Sequence, residues 1–347
     1  MTTIKDIARE AKCSLATVSK AINGRHDISE TTRDRILKIA EEHNFVPNAF
    51  GKGLKNRRTE NIGVIFCRES LPLSLNPFYS RVLEGIEGEL AINNYNLVLH
   101  LLPDVYRGEY PKMLKERNLD GVILIGVLQE KFVSQLSKEK IPIVSIDPKI
   151  VTDNFSQVLI DNEHGAFLAT QHLVNNGHRK IAFISAELER ESFRQRYLGF
   201  KKAMHHNHVK IVEQFMQIGG LESGYEHARI LLNLRERPTA IFVSNDINAM
   251  YSYQAIKESG LRIPEDISVI GFDDIAWAKM ASPPLTTVRV YKEEMGSISV
   301  RKLLNMINRT EKISTTIIPV RIIVRESVKQ LLPVPTMVHQ ETDLGNA

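Results

Sequence analysis

The stretch TIKDIAREAKCSLATVSKAING, residues 3–24, decides how the N-terminal part of this chain folds. Apolar residues recur at helical spacing between positions 4 and 11, which predicts a short first helix with one buried stripe. Thr3 precedes this stripe and Asp6 follows three residues later, an arrangement close to a capping box. Ser14 is a good N-cap for a second helix. The pattern therefore predicts two short helices joined by a tight turn, as in a helix-turn-helix that reads DNA.

The second predicted helix has an inner and an outer face. Leu15, Val18 and Ile22 are predicted to face back toward the first helix. A recognition helix presents the N-terminal part of its outer face to base edges in the major groove. Here that part consists of Leu15, Ala16, Thr17, Ser19 and Lys20. Lys20 at such a position favours a guanine contact, because lysine pairs well with guanine O6 and N7.

Positive charge is concentrated in the same N-terminal segment. Residues 1–58 contain 12 Lys and Arg against 7 Asp and Glu, whereas the remainder contains 33 and 34. The +4 net charge of the chain therefore comes from this segment alone. Charge by itself is equally compatible with a solvated surface. Together with two capped helices, it predicts that the segment neutralises DNA phosphates.

Length and composition indicate a globular protein with more than one domain. The 347 residues are 43% hydrophobic and 25% charged. We expect no signal peptide and no membrane span, because long apolar runs are absent, and we expect a cytoplasmic location. The two cysteines, Cys13 and Cys67, suit neither a disulfide framework nor a zinc site. Common nucleotide-binding, hydrolase and metalloprotease motifs are also absent, so we expect no enzyme activity, no cofactor and no metal.

Two further segments complete the predicted N-terminal organisation. A third helix is predicted over residues 30–43, with Ser29 as its N-cap, and it completes a small domain over residues 1–47. Residues 48–58 are basic and contain two glycines. We expect this linker to be unfolded when free and ordered when bound.

Beyond the linker, short apolar runs alternate with amphipathic helices. The runs lie at residues 62–66, 97–102, 121–125, 141–146, 180–184, 239–243 and 266–272. Such runs predict parallel sheets that are covered by helices on both faces. Seven or more units are too many for one small sheet. We therefore predict an α/β core of two doubly wound lobes over residues 59–328, followed by a tail over 329–347.

Several predicted strands end in a polar side chain. Ligands of open α/β sheets bind at the carboxyl ends of the strands, where Asp147, Asn245 and Asp273 are placed. For Asp246 and for Asp161–Asn162, capping of the following helix is the preferred interpretation. Asp273 is the better ligand group, because an irregular stretch follows it.

Two more candidates for the same site lie elsewhere in the chain. Arg196 is in an arginine-dense segment, and an arginine opposite a carboxylate can hold a polyhydroxylated ring. A surface salt bridge is the alternative for any single one of these arginines. Phe78 and Tyr79 form either a stacking platform or the buried start of a helix over 78–91.

These motifs together resemble the lactose-repressor (LacI/GalR) family of bacterial transcription regulators. Besides residues 3–24, the likeness is carried by NPFY (76–79), DGVIL (120–124), GHRKIAFI (177–184), RYLGF (196–200), PTAIFVSND (238–246), DISVIGFDD (266–274) and PPLTTV (283–288). It extends from residue 2 to about residue 328. It implies a core like the type I periplasmic sugar-binding proteins, with a ligand between the lobes, and a homodimer.

The resemblance also implies roles for individual residues. Leu15, Ala16 and Lys20 would read bases, and Leu54 would wedge into the minor groove from a hinge helix. The DNA contacts so implied are Thr3, Ser14, Leu15, Ala16, Thr17, Ser19, Lys20, Asn23, His26, Leu54 and Lys55. The effector contacts so implied are Phe78, Asp147, Arg196, Asn245 and Asp273. The chain departs from the family pattern at Lys12, at Gly219–Gly220 and at Val290–Tyr291.

The sequence therefore predicts a homodimeric regulator, a repressor, that binds a near-palindromic double-stranded operator. A small molecule, a sugar or sugar derivative, would control its affinity for DNA. The alternative is a catabolite-control-type regulator whose corepressor is a phosphorylated carrier protein, since Leu15–Ala16 is close to the form in those members. Residues 328–347 contain no leucine heptad, which favours a dimer over a tetramer.

Overall fold

The computed structural model describes residues 2–22, 25, 27–43, 45, 58–67, 73, 76–102, 110–149, 151–220 and 223–331. The chain divides into two compact units, Met1–Glu60 with Asn118–Asp120, and Asn61–Arg117 with Gly121–Ala347. Four predicted DNA contacts lie outside the described residues: Asn23, His26, Leu54 and Lys55. So do most of the predicted linker and residues 332–347 of the tail. Within the described ranges, no helix is long and apolar enough to cross a membrane.

Three helices form the N-terminal unit: α1 (Ile4–Glu10), α2 (Leu15–Ile22) and α3 (Glu30–Glu42). The predicted caps are confirmed. The backbone N–H of Thr3 donates to Asp6 Oδ2 at 3.0 Å, and the N–H of Thr17 donates to Ser14 Oγ at 3.1 Å. Ser29 Oγ accepts from the N–H of Thr32 at the start of α3.

The small core of this unit is apolar and comes from all three helices. Its buried members are Ile7, Ala8, Ala11, Val18, Ala21, Ile36 and Ala40. Leu15 is 45% exposed, so the expectation that it faces α1 is wrong. Val18 and Ala21 fill the inner face, and Leu15 lies one turn before them at the helix N-terminus. Lys12 adopts a left-handed φ of 52° in the turn, which explains why glycine or asparagine suits this position.

The first lobe of the core contains a six-stranded parallel sheet. Its strands are β1 (Asn61–Cys67), β2 (Asn96–Leu102), β3 (Gly121–Ile125), β4 (Ile143–Ile146), β5 (Ser156–Ile160) and β11 (Thr315–Ile318), in the order β11-β5-β4-β3-β1-β2. Its helices are α4 (Tyr79–Ile92), α5 (Lys112–Lys115), α6 (Glu130–Leu136) and α12 (Lys292–Ile307). The central strands β3 and β4 are buried along their whole length, as their apolar runs require.

The second lobe contains a four-stranded parallel sheet. Its strands are β6 (Ile181–Ala186), β7 (Met216–Gly219), β8 (Ala240–Val243) and β9 (Ser268–Ile270), in the order β7-β6-β8-β9. Its helices are α7 (Asn162–Asn175), α8 (Glu191–His206), α9 (Gly224–Leu232), α10 (Asp246–Glu258) and α11 (Ala276–Met280). The prediction of two doubly wound lobes is confirmed.

The chain passes between the lobes at several points. Strand β5 leads directly into α7, and β10 (Thr287–Arg289) leads into α12. Strand β12 (Arg321–Ile323) pairs antiparallel with β10, and the hydroxyl of Ser327 then donates to the carbonyl oxygen of Val269 in β9. These passages bring residues that are distant in sequence to the carboxyl ends of both sheets. The missed strands β5 and β7 are short and contain polar residues, so their apolar pattern is weak.

Candidate functional site

The predicted DNA-reading face of α2 is exposed at its N-terminal end. Leu15 and Ala16 are exposed, and the hydroxyls of Ser14 and Thr17 hydrogen-bond to each other at 2.8 Å. Lys20 lies one turn after Ala16 on the same side of the helix. Its Nζ is 2.7 Å from Asp27 Oδ2, and the two side chains are 40% and 52% exposed.

In the second lobe, Arg196 is the centre of a buried polar network. Its Nε donates to Asn162 Oδ1 at 2.8 Å, and its Nη2 lies 3.1 Å from Asp273 Oδ1. Its Nη1 donates to the carbonyl oxygen of Ser244. The guanidinium also lies 3.8 Å from the centroid of the Phe272 ring, at cation–π distance. Arg196 therefore joins α8 to the start of α7, to the end of β8 and to the loop after β9.

Asp273 and Asp274 form a turn in which both residues have positive φ, 113° and 52°. The ammonium of the buried Lys292 donates to the carbonyl oxygens of Asp273 at 2.6 Å and of Asp274 at 3.2 Å. Burial lowers the pKa of Lys292, against the attraction of the nearby carboxylates. This lysine holds the turn, and hence the Asp273 carboxylate, in place.

The two carboxylates of the turn differ in their electrostatics. Burial raises the pKa of Asp273 to about 6, although Arg196 and Lys292 act in the opposite direction. Burial has the same effect on Asp274, but hydrogen bonds from Arg325 and Arg289 lower its pKa below the ordinary value. Asp274 therefore anchors the turn to β10 and to the segment after β12, whereas Asp273 is directed to Arg196.

Asp246 has a role that the sequence did not reveal. It does not cap α10, because the preceding residue, Asn245, is the cap and accepts the N–H of Asn248 at 2.7 Å. The Asp246 carboxylate instead accepts the N–H of Ile275 at 3.0 Å and the hydroxyl of Thr287 at 2.7 Å. Complete burial, followed by the nearby Asp273, raises its pKa to about 8. The preferred capping interpretation of Asp246 is therefore wrong. Its carboxylate instead links the start of α10 to the residue before α11 and to β10.

The capping interpretation of Asp161–Asn162 holds for one of the two residues. Asp161 Oδ1 accepts the N–H of His164 and caps α7. Asn162 is instead the buried partner of Arg196. Sequence reasoning missed this contact, because the two residues are 34 positions apart and lie on different helices.

Two predicted effector contacts come from the first lobe. Asp147 follows β4 with a φ of 49°, and its Oδ2 accepts the hydroxyl of Tyr79 at 2.9 Å. Its charge contributes to the raised pKa of Asp273. Phe78 and Tyr79 are the buried start of α4, the second of the two interpretations. The Phe78 ring centroid is 5.9 Å from Nζ of Lys292.

A cavity of about 680 Å³ adjoins this network. Its lining is Asp147, Pro148, Val151, Leu159, Ile160, Asp161, Asn162, Glu163, His164, Phe167, Glu191, Ser192, Gln195, Lys202 and Ile317. Both lobes contribute to the lining, and its volume is in the range of small-molecule sites. Asp147 is the one predicted effector contact in this lining, and Phe78, Arg196, Asn245 and Asp273 are not part of it.

The geometry brings four of the predicted residues into one connected region. Arg196 contacts Asp273 directly, the charge of Asp147 acts on Asp273, and Lys292 links the Asp273 turn to Phe78. Asn245 lies one residue beyond the carbonyl that Arg196 binds, but its Oδ1 is engaged in the helix cap. Lys292 was missed, and no local signal distinguishes it from the surface lysines of other helices.

Comparisons with known proteins agree with the fold. Residues 3–48 match the profile of the bacterial regulatory proteins of the lacI family, and residues 170–328 match the periplasmic binding protein-like domain. The HTH-type transcriptional repressor PurR of Vibrio vulnificus is 33% identical over 338 residues, covering 95% of this chain and 100% of the relative. The ribose operon repressor of Haemophilus influenzae is 34% identical over 340 residues, covering 95% of this chain and 100% of the relative. A crystal structure of the lac repressor dimer, bound to operator and the anti-inducer ONPF, has a TM-score of 0.81 and 26% identity, covering 94% of this chain and 99% of that chain.

Proposed function

The chain belongs to the lacI family of bacterial regulatory proteins, and we propose that it is a transcriptional repressor whose affinity for operator DNA is set by a small effector. The effector is a sugar or a sugar derivative and binds between the lobes, beside Arg196 and Asp273. The repressor acts in the cytoplasm as a homodimer, and each subunit reads one half of a near-palindromic site. This proposal is supported by the relatives, which are repressors and not enzymes.

The observation that carries the effector site is the buried Arg196–Asp273 pair next to a cavity with walls from both lobes. An arginine and a carboxylate held in fixed positions suit hydroxyl groups of a polyhydroxylated ligand. Asp147 comes from the loop after β4, whereas Ser192 and Gln195 come from α8. A ligand that contacts both walls binds best at one angle between the lobes, and so shifts the population toward that angle.

The effect on DNA follows from linkage. A coupling free energy of about 1–3 kcal/mol between effector and operator is enough for regulation. The linker over residues 48–58 would carry the coupling, because it connects the DNA-reading helices to the core. Leu54 in this linker lies outside the described residues. Replacing it with alanine is expected to weaken operator binding and to leave effector binding nearly unchanged, which titrations with both ligands would measure.

The first experiment is thermal unfolding of the full chain against sugars, sugar phosphates and purines. A ligand at about 100 times its Kd adds about 2.7 kcal/mol to the stability of the folded state. A ligand found in this way should lose affinity in Asp147→Asn, because the substitution removes a charge from the cavity wall. Asp153→Asn, an exposed position in the same lobe, is the matched control and should bind normally.

The same ligand is then added to the repressor on DNA selected from a random duplex pool. A change in DNA affinity of about fivefold or more supports the proposal. A ligand that binds the core without changing DNA affinity would contradict effector control. If the whole panel leaves the unfolding temperature unchanged, the tested sugars are excluded as effectors, and a phosphorylated carrier protein or a ligand outside the panel is tested next.

A further inference from the structure

An acidic side chain lies beside the DNA-reading face of α2. Asp27, in the segment between α2 and α3, places Oδ2 2.7 Å from Nζ of Lys20. Both side chains remain substantially exposed, so a large molecule can reach them. The hydrogen bond from Lys20 lowers the pKa of Asp27, and the carboxyl is therefore ionised at neutral pH.

A carboxylate in this position works against nonspecific attraction to DNA. It repels phosphates, and it neutralises part of the charge of the lysine that faces the groove. An exposed ion pair of this kind contributes little to folding, so stability does not account for it. A role in reading bases would account for it, because aspartate accepts hydrogen bonds from base amino groups.

We infer that Lys20 and Asp27 read a single G·C base pair together, with Lys20 donating to guanine and Asp27 accepting from cytosine. This inference rests on the proposed function as a sequence-specific DNA-binding repressor and names the base pair that this part of the surface selects. Asp27 is then a specificity-determining residue.

The chemistry of the two groups matches the major-groove edge of that pair. Guanine presents the acceptors O6 and N7, and cytosine presents the amino donor N4. Within the pair, O6 and N4 are hydrogen-bonded to each other and so lie about 3 Å apart. Lys20 Nζ and Asp27 Oδ2 are separated by a similar 2.7 Å. The donor Nζ can therefore face the acceptor O6 while the acceptor Oδ2 faces the donor N4. In a reversed pair, C·G, the lysine would face the cytosine amino group and the carboxylate would face the guanine oxygen. Neither contact could then form a hydrogen bond.

The inference is tested with the full chain by selection from a random duplex pool. The wild-type protein is compared with Lys20→Ala and Asp27→Ala, and with Asp34→Ala as a control that removes one exposed acid from α3. Both Lys20→Ala and Asp27→Ala should lose preference at the same base pair of each half-site. We expect the loss to be about tenfold, within the range for one good base contact. Asp27→Ala should also bind random DNA more tightly, because one repulsive charge is gone.

Each outcome decides the inference. A loss of preference at one shared G·C pair, absent in Asp34→Ala, supports it. Relaxation at two different pairs, at an A·T pair, or equally at all positions would overturn it, as would an unchanged profile in Asp27→Ala. If the wild-type protein enriches no sequence at all, the proposed function fails as well. Circular dichroism of each variant shows whether the helices are retained, and little change is expected at such exposed positions.

Discussion

The pairs Lys20–Asp27 and Arg196–Asp273 have similar N–O distances, 2.7 Å and 3.1 Å, in very different surroundings. In the first pair the side chains are 40% and 52% exposed, and in the second 4% and 10%. Water can replace either partner of the first pair. In the second pair each partner would be left as a buried charge without compensation. Similar distances therefore have different consequences: the first pair can exchange its partner for water or another polar group, whereas the second has to stay paired for the fold to be stable.

The largest expected effect comes from breaking the buried Arg196–Asp273 pair. Arg196→Ala removes the partner of the Asp273 carboxylate and of Asn162 Oδ1 at once. Breaking a buried ion pair from one side costs about 3–5 kcal/mol of folding free energy. Urea unfolding of the core would measure the loss. The matched control is Arg194→Ala, whose half-exposed bond to Glu191 should be worth no more than about 1 kcal/mol. Equal losses in the two variants would show that burial does not set the difference.

The next effect is a pH dependence of the buried region. His178 bonds Thr239 Oγ1 at 3.0 Å and the carbonyl oxygen of Lys329 at 3.1 Å, and burial lowers its pKa to about 4. The unfolded chain takes up this proton near pH 6.5, and the folded chain only near pH 4. The contribution of His178 to the free energy of unfolding should therefore fall by as much as about 3 kcal/mol as the pH drops through this interval. The raised pKa values of Asp246 and Asp273 act in the opposite direction, so the His178 contribution has to be separated from theirs.

The contribution of His178 is isolated by comparing variants. Between pH 4 and 6.5, the slope of the free energy of unfolding against pH should be less positive for His178→Gln than for the wild-type protein. His205→Gln, an exposed histidine at the end of α8, should retain the wild-type slope. If His178→Gln retains it too, the buried imidazole is not the group that titrates.

A smaller effect is expected from a helix cap in the N-terminal unit. Ser29→Ala removes the oxygen that accepts the N–H of Thr32, which should destabilise α3 by about 1 kcal/mol. The unfolding transition of the N-terminal unit should shift and that of the core should not. Lys38→Ala, on the exposed side of the same helix, should change stability by less than about 0.5 kcal/mol. A shift of the core transition in Ser29→Ala would contradict this local role.

The smallest effect on stability comes from the exposed pair itself. Lys20→Ala should alter the free energy of unfolding by less than about 0.5 kcal/mol. The same substitution should cost about 1–3 kcal/mol of affinity for the selected operator, and far less for mismatched DNA. Chemical unfolding and DNA titration on one preparation would measure both quantities. An equal loss on matched and mismatched DNA would make Lys20 a phosphate contact.

Local features were predictable from the sequence because they depend on neighbours within one helical turn. The caps Thr3–Asp6, Ser14 and Ser29 act over three residues, and each is present. The apolar runs predicted seven of the ten described strands of the two parallel sheets to within about two residues, because burial on both faces requires continuous apolar sequence. Strands β5, β7 and β11 were missed. The capping prediction for Asp246 was wrong, because the neighbouring Asn245 caps the helix. The Asp246 carboxylate bonds instead to Ile275 and Thr287, which are 29 and 41 positions away.

The candidate site was only partly predictable. The sequence singled out Arg196 and Asp273 because strand ends and an arginine-rich segment can be recognised along the chain, and the structure places the two side chains 3.1 Å apart. Lys292 was missed, since its partners are carbonyl oxygens 18 and 19 positions earlier in the chain. Whether Asn245 contacts an effector remains a prediction, and the structure shows only that its Oδ1 caps a helix.

The sequence by itself determined the helix-turn-helix, its caps, the location of the positive charge and the two-lobed α/β core. These properties follow from periodicity, short-range hydrogen bonds and composition, all of which can be read along the chain. Only the tertiary structure decided which charged residues are buried, which pair with which, and which remain exposed. The reason is that the cost of a charge depends on its distance from water, and the crossing of the chain between the lobes sets that distance.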